Sequence, residues 1–222
     1  MNQRKAGAML SYVYLAITFL IGVVYTPLLL SFLGKSEYGV YSVAASTIAF
    51  LAILDLGFSQ TMVRYVAKCK AEKDREGEEK LNGMFLLLYT GIALVALLAG
   101  IVIFFNLDFL FQKGFTPEET RTLRWIFIIL LGNLVFSFPL GIFNSIISAN
   151  EGFVFLKGMN IVSTLLTHGG ILLALFMGFK SISMALITTV VSLGVKLIQS
   201  VYGRKKYKIR FRFSGFDRSL MK

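Results

Sequence analysis

Apolar residues along this chain occur in long runs that contain no charged side chain. A bilayer-crossing helix needs about 20 largely apolar residues, rising about 1.5 Å each, so runs of this length predict membrane spans. The uncharged runs cover residues 6–34, 38–54, 81–107, 125–150, 158–179 and 181–195. The second and sixth runs are short, but each extends into a helix end past one ionisable residue, Asp55 or Lys196. We therefore place helices near residues 8–33, 38–66, 83–105, 123–148, 158–179 and 181–203.

The composition agrees with this pattern. Hydrophobic residues make up 56% of the 222 residues and charged residues 16%, and the mean hydropathy is +0.72. A soluble domain with this balance would leave too much apolar surface in water. The sequence predicts an all-α polytopic membrane protein with six transmembrane helices in one domain, followed by a basic tail at residues 204–222.

Basic residues predict how the helices are oriented, because cytoplasmic loops collect lysine and arginine. The apolar run after Lys5 is about twice the length of a signal-peptide core and has no cleavage motif, so we expect an uncleaved signal anchor. With the N-terminus inside, most of the 23 basic residues lie on the cytoplasmic side. The exceptions are Lys35, Lys113, Arg121, Arg124 and Lys180. Both termini are therefore expected in the cytoplasm, and the protein in the cell membrane.

Polar residues recur at helical spacing on most of the predicted spans. Tyr14 and Tyr25 share one face of the first span, and Asn133 and Asn144 share one face of the fourth span. Helix packing is one explanation, because small and polar residues allow close approach and weak interhelical hydrogen bonds. Helix packing explains asparagine and charged residues less well, because a charged residue within a membrane span normally marks a water-filled cavity or an ion pair. The third span has few polar residues and is expected to face lipid.

Several ionisable residues fall within or beside the spans. Asp55, Glu151 and Lys196 lie toward the cytoplasmic half, which favours a polar cavity open to the cytoplasm. His168 lies near the middle of the fifth span and is expected either as a neutral histidine bonded to a neighbouring helix or as a proton-coupling group. Pro27 predicts a kink in its helix.

Known catalytic and metal-binding patterns do not fit this chain. Gly34-Lys35-Ser36 lacks the upstream glycine and the strand of a phosphate-binding loop. One cysteine, Cys69, and one histidine exclude a cysteine zinc cluster and a histidine-rich metal site. The basic tail is expected to set topology and touch anionic lipid rather than bind nucleic acid. We therefore expect no enzyme activity, no cofactor and no metal.

Three segments near the N-terminus carry a family resemblance. Residues 32–41 contain a Leu-Gly pair followed by Tyr-Gly-Val-Tyr, residues 54–58 contain Asp-Leu-Gly, and residues 64–67 read Arg-Tyr-Val-Ala. Residues 147–153 fit the same pattern more loosely. In order and spacing these segments resemble polysaccharide-biosynthesis export proteins, the lipid-linked oligosaccharide flippases of the multidrug/oligosaccharidyl-lipid/polysaccharide exporter superfamily.

The resemblance implies an architecture and a substrate. Such transporters have at least twelve spans in two six-helix lobes, and this chain looks like one N-terminal lobe. It is expected to be a truncated frame, a split gene, or a half that pairs with a second half or with its own copy. The implied substrate is an oligosaccharide on polyprenyl diphosphate, which would be flipped from the cytoplasmic to the outer leaflet of the bilayer.

The implied substrate suggests roles for individual residues. Cations at Arg64, Lys157 and Lys196 would attract the diphosphate. A second set would line the sugar path: Tyr14, Tyr25, Asn133 and Asn144. A third set is assigned to ion coupling: Asp55, Glu151 and His168. Asp55 is equally expected to cap the bend at residues 54–57 or to pair with a base.

Two other functions stay open at this point. The first is a multidrug or cation exporter of the same superfamily, which would be expected to bury more acidic residues than Asp55 and Glu151. The second is a membrane assembly subunit that transports nothing. The half-length chain keeps this second function open.

Overall fold

The computed structural model describes residues 3–111 and 114–213, apart from the side chain of Arg4. Within these ranges the regular elements are all helical, as the sequence predicts. They are α1 (Gln3–Ala52), a 3₁₀ helix (Ile53–Asp55), α2 (Phe58–Ala71), α3 (Arg75–Phe111), α4 (Pro117–Ala149), α5 (Phe153–Phe176) and α6 (Ser181–Tyr207). Lys113 and residues 214–222 of the predicted tail lie outside the described residues.

Five stretches of the described chain, not the predicted six, are long and apolar enough to cross a membrane. They are Lys5–Ala71, Arg75–Phe111, Pro117–Ala149, Phe153–Phe176 and Ser181–Tyr207. The difference arises at the N-terminus, where the predicted spans 8–33 and 38–66 fall in one helical stretch. Of the other four predicted spans, 83–105, 123–148 and 181–203 lie within α3, α4 and α6, whereas 158–179 extends three residues past the end of α5 at Phe176. α3 and α4 extend beyond their predicted ends because a helix continues past the charged residues that end an apolar run.

The first stretch is interrupted at Gly34, where φ is 75° and ψ is 168°. These angles lie outside the helical region and are accessible essentially only to glycine. Before this break, residues 3–33 run alongside α5 in the same direction. Gly7 lies against Phe153 at the start of α5, and the rings of Phe32 and Phe176 meet at its end, 4.7 Å apart.

After Gly34 the chain follows α4 instead. The hydroxyl of Ser36 donates to Glu119 at the start of α4, and Lys70 donates to Asn150 just after its end. Glu37 meanwhile accepts a hydrogen bond from Ser181, so the start of α4 and the end of α5 lie at the same end of the bundle. α4 and α5 are therefore antiparallel, and the chain reverses direction at Gly34.

The second predicted span contains a further break. The 3₁₀ helix Ile53–Asp55 is followed by two left-handed residues, Leu56 with φ 46° and Gly57 with φ 79°, before α2 begins. The glycine adopts this conformation without steric cost, whereas the leucine does not. The bend that the sequence analysis placed at residues 54–57 is present.

α4 forms the centre of the bundle and packs against α3, α6, α2 and the C-terminal half of α1. It begins with a capping box, in which Thr116 accepts from the backbone N–H of Glu119 while the Glu119 side chain accepts from the backbone N–H of Thr116. The expectation that α3 faces lipid is wrong for one of its sides. Tyr89, Ala93, Ala96 and Gly100 on that side are buried. Small residues at three- and four-residue spacing let the two helices approach closely.

Part of the basic tail is docked on the bundle. Residues 204–207 belong to α6, and residues 208–213 return along the N-terminal end of α3. The backbone N–H of Arg212 donates to the carbonyl of Glu79 at 3.0 Å, and its guanidinium pairs with Glu76 at 2.9 Å. The ring of Phe211 contacts Phe143 edge-on, with centroids 6.0 Å apart. We refer to residues 208–213 as the C-terminal strap.

Candidate functional site

A groove of about 330 Å³ lies between residues 20–28 of α1 and residues 165–172 of α5. Most of its lining is aliphatic, and its polar groups come from Tyr25 and His168. The two rings meet edge to face, with centroids 4.6 Å apart and planes at 75°. The structure therefore brings together two of the residues that the sequence analysis selected, from helices that are far apart in the chain.

The hydrogen bonding of His168 fixes which ring nitrogen carries the proton. Nδ1 lies 2.8 Å from the carbonyl oxygen of Thr164, one turn earlier on the same helix. Because a carbonyl oxygen only accepts, Nδ1 is the donor, and in the neutral ring Nε2 is left as an acceptor. The expectation of a hydrogen bond to a neighbouring helix is therefore wrong: the bond is made within α5, and the neighbouring helix supplies Tyr25 as a ring contact.

The hydroxyl of Tyr25 is buried and has no hydrogen-bond partner among the described residues. An unpaired buried hydroxyl is unfavourable, because it has lost water without gaining a partner. Because the oxygen is shielded from solvent, a ligand in the groove would meet the ring of Tyr25, and would reach the hydroxyl only if the side chain turned outward.

Asp55 occupies a separate position, at the break before α2. Its two carboxylate oxygens accept from Ser59 at 2.7 Å and from Tyr89 at 3.0 Å. No basic side chain in the described part of the chain pairs with Asp55, and α2 begins without a side-chain cap on its backbone N–H groups. Of the alternatives in the sequence analysis, capping of backbone groups and pairing with a base are both absent, and the carboxylate instead joins the bend to α3.

The three basic residues assigned to the diphosphate lie on different helices. Arg64 is exposed on α2, while Lys157 on α5 and Lys196 on α6 are partly buried. α2 packs mainly against α3 and α4, whereas α5 and α6 pack against each other. The structure therefore places Lys157 and Lys196 on one helix pair and Arg64 apart from them.

The remaining selected residues are spread along the bundle. Tyr14 is partly buried on α1 and Asn133 is partly buried on α4, where it accepts from Ser137 at 3.3 Å. Asn144 is exposed on α4. Glu151 is partly buried in the turn after α4, with φ 57°. Neither asparagine lines the groove that holds Tyr25 and His168.

Sequence reasoning missed Glu37, which organises the start of α6. Its carboxylate accepts from the hydroxyl of Ser181 at 2.5 Å and lies 3.7 Å from the ammonium of Lys180. A carboxylate at a helix N-terminus stabilises the helix through its exposed N–H groups and dipole. The one indication in the sequence was that Glu37 lies between the Leu-Gly pair and the Tyr-Gly-Val-Tyr segment of residues 32–41. Its partner, Ser181, lies 144 residues away and could not be identified from that position.

Together these features define the class of protein. Long apolar helices with exposed aliphatic faces, and polar groups confined to a groove, a bend and the helix ends, are typical of a multi-pass membrane protein. Residues 5–222 match the family described as Polysaccharide biosynthesis protein. The chain therefore belongs to the polysaccharide biosynthesis protein family. No curated protein and no solved structure matches it.

Proposed function

We propose that this protein is a membrane transporter of polysaccharide biosynthesis. It would flip oligosaccharide linked to polyprenyl diphosphate from the cytoplasmic to the outer leaflet. The observation that carries the proposal is membership of the polysaccharide biosynthesis family over nearly the whole chain, residues 5–222, in a bundle of long apolar helices.

The groove between α1 and α5 supports this proposal. Taking hydroxyl and phosphate groups through hydrocarbon is costly unless polar groups replace their water. The groove presents almost no polar surface, although Tyr25 and His168 lie within it. Exposed aliphatic side chains, including Leu20, Val24 and Leu165, offer a surface for a prenyl chain. The groove therefore fits the apolar tail of the proposed substrate, and the polar head would be held by residues outside it.

We also propose six membrane crossings with both termini in the cytoplasm. The reversal at Gly34 supports two crossings in Lys5–Ala71, because residues 3–33 follow α5 and residues 35–71 follow the antiparallel α4. The end of the bundle that holds Lys70 also holds the basic residues 204–212. Lysine and arginine favour the cytoplasmic side, which supports this orientation.

The residue roles follow the chemistry of the substrate. The cations Arg64, Lys157 and Lys196 would attract the diphosphate, and Tyr14, Tyr25, Asn133 and Asn144 would contact the sugar. The ion-coupling group would be drawn from Asp55, Glu151 and His168. The dispersal of these residues over several faces favours a path completed by a second six-helix lobe or a second copy.

The test is export of lipid-linked sugar from cells that carry single substitutions. Lys196→Ala and Arg64→Ala are expected to reduce the oligosaccharide that reaches the outer leaflet while leaving membrane insertion intact. Lys68→Ala is the matched control, because Lys68 lies on the same helix as Arg64 and pairs at the surface with Glu72. Wild-type export by both test variants would remove these two cations from the path.

Deletion of the protein separates the proposed function from its alternatives. A flippase predicts accumulation of polyprenyl-linked sugar on the inner leaflet. An exporter of drugs or cations predicts sensitivity to those compounds with normal lipid-linked sugar, and an assembly subunit predicts neither. Either of the last two results would overturn the proposal.

A further inference from the structure

A second cavity, of about 540 Å³, lies at the end of the bundle where Lys70 and Asn150 meet. Its walls come from the ends of α2, α3 and α6 and from the C-terminal strap. The volume is in the range of cavities that hold small molecules. The groove between α1 and α5 shares no lining residue with it.

The charge of the lining favours an anion. Five basic residues face two acidic ones, Glu78 and Glu79. The basic residues are Lys70, Arg75, Lys206, Lys208 and Arg210. The ion pairs made by Lys68, Lys80, Arg124, Lys180 and Arg212 involve none of the five. The carboxylate of Glu78 interacts electrostatically with Lys70 and Arg75, so the positive charge most available to a ligand is that of Lys206, Lys208 and Arg210.

Two of these cations are held in place by neutral partners. Lys70 donates to the side-chain oxygen of Asn150, and Lys206 donates to the hydroxyl of Tyr202 at 2.6 Å. Both ammonium groups also lie over the ring of Tyr207, at 5.7 Å and 5.6 Å from its centroid. Neutral contacts of this kind orient an ammonium without cancelling its charge, which leaves it able to bind phosphate.

Asn82 adds a buried polar side chain with one unsatisfied hydrogen-bond acceptor. It lines the cavity and is only 1% exposed. Its side-chain nitrogen donates to the carbonyl of Arg210 at 3.4 Å, which fixes the orientation of the amide because a carbonyl cannot donate in return. Its side-chain oxygen, Oδ1, is buried without a partner among the described residues. That oxygen needs a donor, and a hydroxyl supplies one.

The C-terminal strap gives this cavity a fixed wall. It is attached to α3 through the two contacts of Arg212 and to α4 through Phe211. Gly83 permits the close approach, because a Cβ at that position would lie 2.1 Å from the carbonyl oxygen of Arg212. Lys208 and Arg210 are thereby positioned before any ligand arrives, which lowers the entropic cost of binding.

We propose that this cavity binds a phosphate group attached to a hydroxyl-bearing moiety, such as a sugar or a cyclitol. The cations bind the phosphate and Asn82 Oδ1 accepts from a hydroxyl. The phosphate comes either from a soluble sugar phosphate or from a lipid headgroup. This inference concerns a different site from the transport groove and stands without the proposed function.

The experiment uses the full chain in nanodiscs. In one arm, glucose 1-phosphate is titrated into phosphatidylcholine nanodiscs, with glucose and inorganic phosphate as comparison ligands. In the other arm, thermal unfolding is measured in nanodiscs that contain phosphatidylinositol or phosphatidylserine, which carry the same net charge and differ in ring hydroxyls. The test variant is Lys206→Gln with Arg210→Gln. The control is Lys68→Gln with Lys205→Gln, which removes the same charge from exposed positions outside the cavity.

Each cation lost from a phosphate contact is expected to weaken binding roughly tenfold, so the test variant loses roughly a hundredfold and the control less than about twofold. Asn82→Leu is expected to remove the preference for glucose 1-phosphate over inorganic phosphate. If that buried substitution prevents folding, the exposed double variant still decides the question.

The two arms identify the source of the phosphate. Binding of glucose 1-phosphate that the test variant loses supports a soluble ligand. A higher unfolding temperature with phosphatidylinositol than with phosphatidylserine, lost in the same variant, supports a lipid headgroup. Equal behaviour of test and control variants, or no effect in either arm, overturns the proposal.

Discussion

The hydroxyl of Tyr89 on α3 donates a hydrogen bond to the carboxylate of Asp55, at 3.0 Å. Tyr89 is 3% exposed, and Asp55 ends the 3₁₀ helix at the break before α2. Ser59, in the first turn of α2, donates to the other carboxylate oxygen. These two bonds hold the bend before α2 against α3. The bend is therefore stabilised by contacts within the bundle.

Tyr89→Phe tests this arrangement. The substitution leaves the Asp55 carboxylate with one of its two donors, and a hydrogen bond to a charged group contributes about 1.5–3 kcal/mol. We expect a loss of stability of that size, measured as a lower unfolding midpoint in detergent. Tyr12→Phe is the control, because Tyr12 is 73% exposed. An equal midpoint for the two variants would contradict the proposed role of this bond.

Gly34→Ala tests the reversal of the chain. Alanine at φ 75° and ψ 168° adopts a conformation that costs about 1–3 kcal/mol. We expect a lower unfolding temperature for this variant. Gly22→Ala is the matched control, since Gly22 lies in a helix with open space around it and alanine there favours the helix. A Gly34→Ala protein as stable as the control would indicate that the reversal does not depend on glycine.

Gly83→Ala tests the docking of the C-terminal strap. The added Cβ would overlap the carbonyl oxygen of Arg212, 2.1 Å away, which is backbone and cannot rotate aside. Forced overlap of this kind costs about 1–3 kcal/mol, so the strap should detach more often and trypsin should cleave after Lys208 and Arg210 roughly tenfold faster. Gly91→Ala, on the same helix in open space, is expected to leave cleavage unchanged. Identical rates for both variants would refute the dependence on Gly83.

Tyr25→Phe separates a ligand contact from a structural one. The hydroxyl has no partner among the described residues, so its removal is expected to leave stability unchanged or slightly raised. If the hydroxyl bonds the sugar, transport of lipid-linked oligosaccharide should fall roughly tenfold. The comparison is between unfolding temperature and export in the same variant. Full export at normal stability would exclude Tyr25 from the sugar path.

Much of the fold could be predicted because apolar runs and helix length obey one physical requirement, the thickness of the bilayer. The predicted spans 83–105 and 123–148 lie within α3 and α4. The helix ends could not be predicted, because residues such as Arg75 and Glu76 continue the helix into water. The charged residues Lys35 and Glu37 divide the apolar pattern beside Gly34, but a hydropathy pattern does not report the backbone angles of Gly34 that break the helix there.

The site was harder to predict. Helical spacing placed Tyr25 and His168 each on a polar face, but not against each other, since their contact depends on which helices become neighbours. Tyr89 was assigned to a lipid-facing helix because it stands almost alone among apolar residues. Its partner, Asp55, was among the candidate residues. Their pairing depends on the position of α3 along its axis relative to the break before α2, which the sequence does not show.

The bond between Glu37 and Ser181 joins residues 144 positions apart. At a synthesis rate of about 5–20 residues per second, the ribosome needs on the order of ten seconds to make that interval. During this time the N-terminal helices reside in the bilayer before α6 exists, and their carboxylate has no partner from it. Assembly of this end of the bundle therefore waits for translation, and pausing downstream of Glu37 would lengthen the life of an unfinished intermediate.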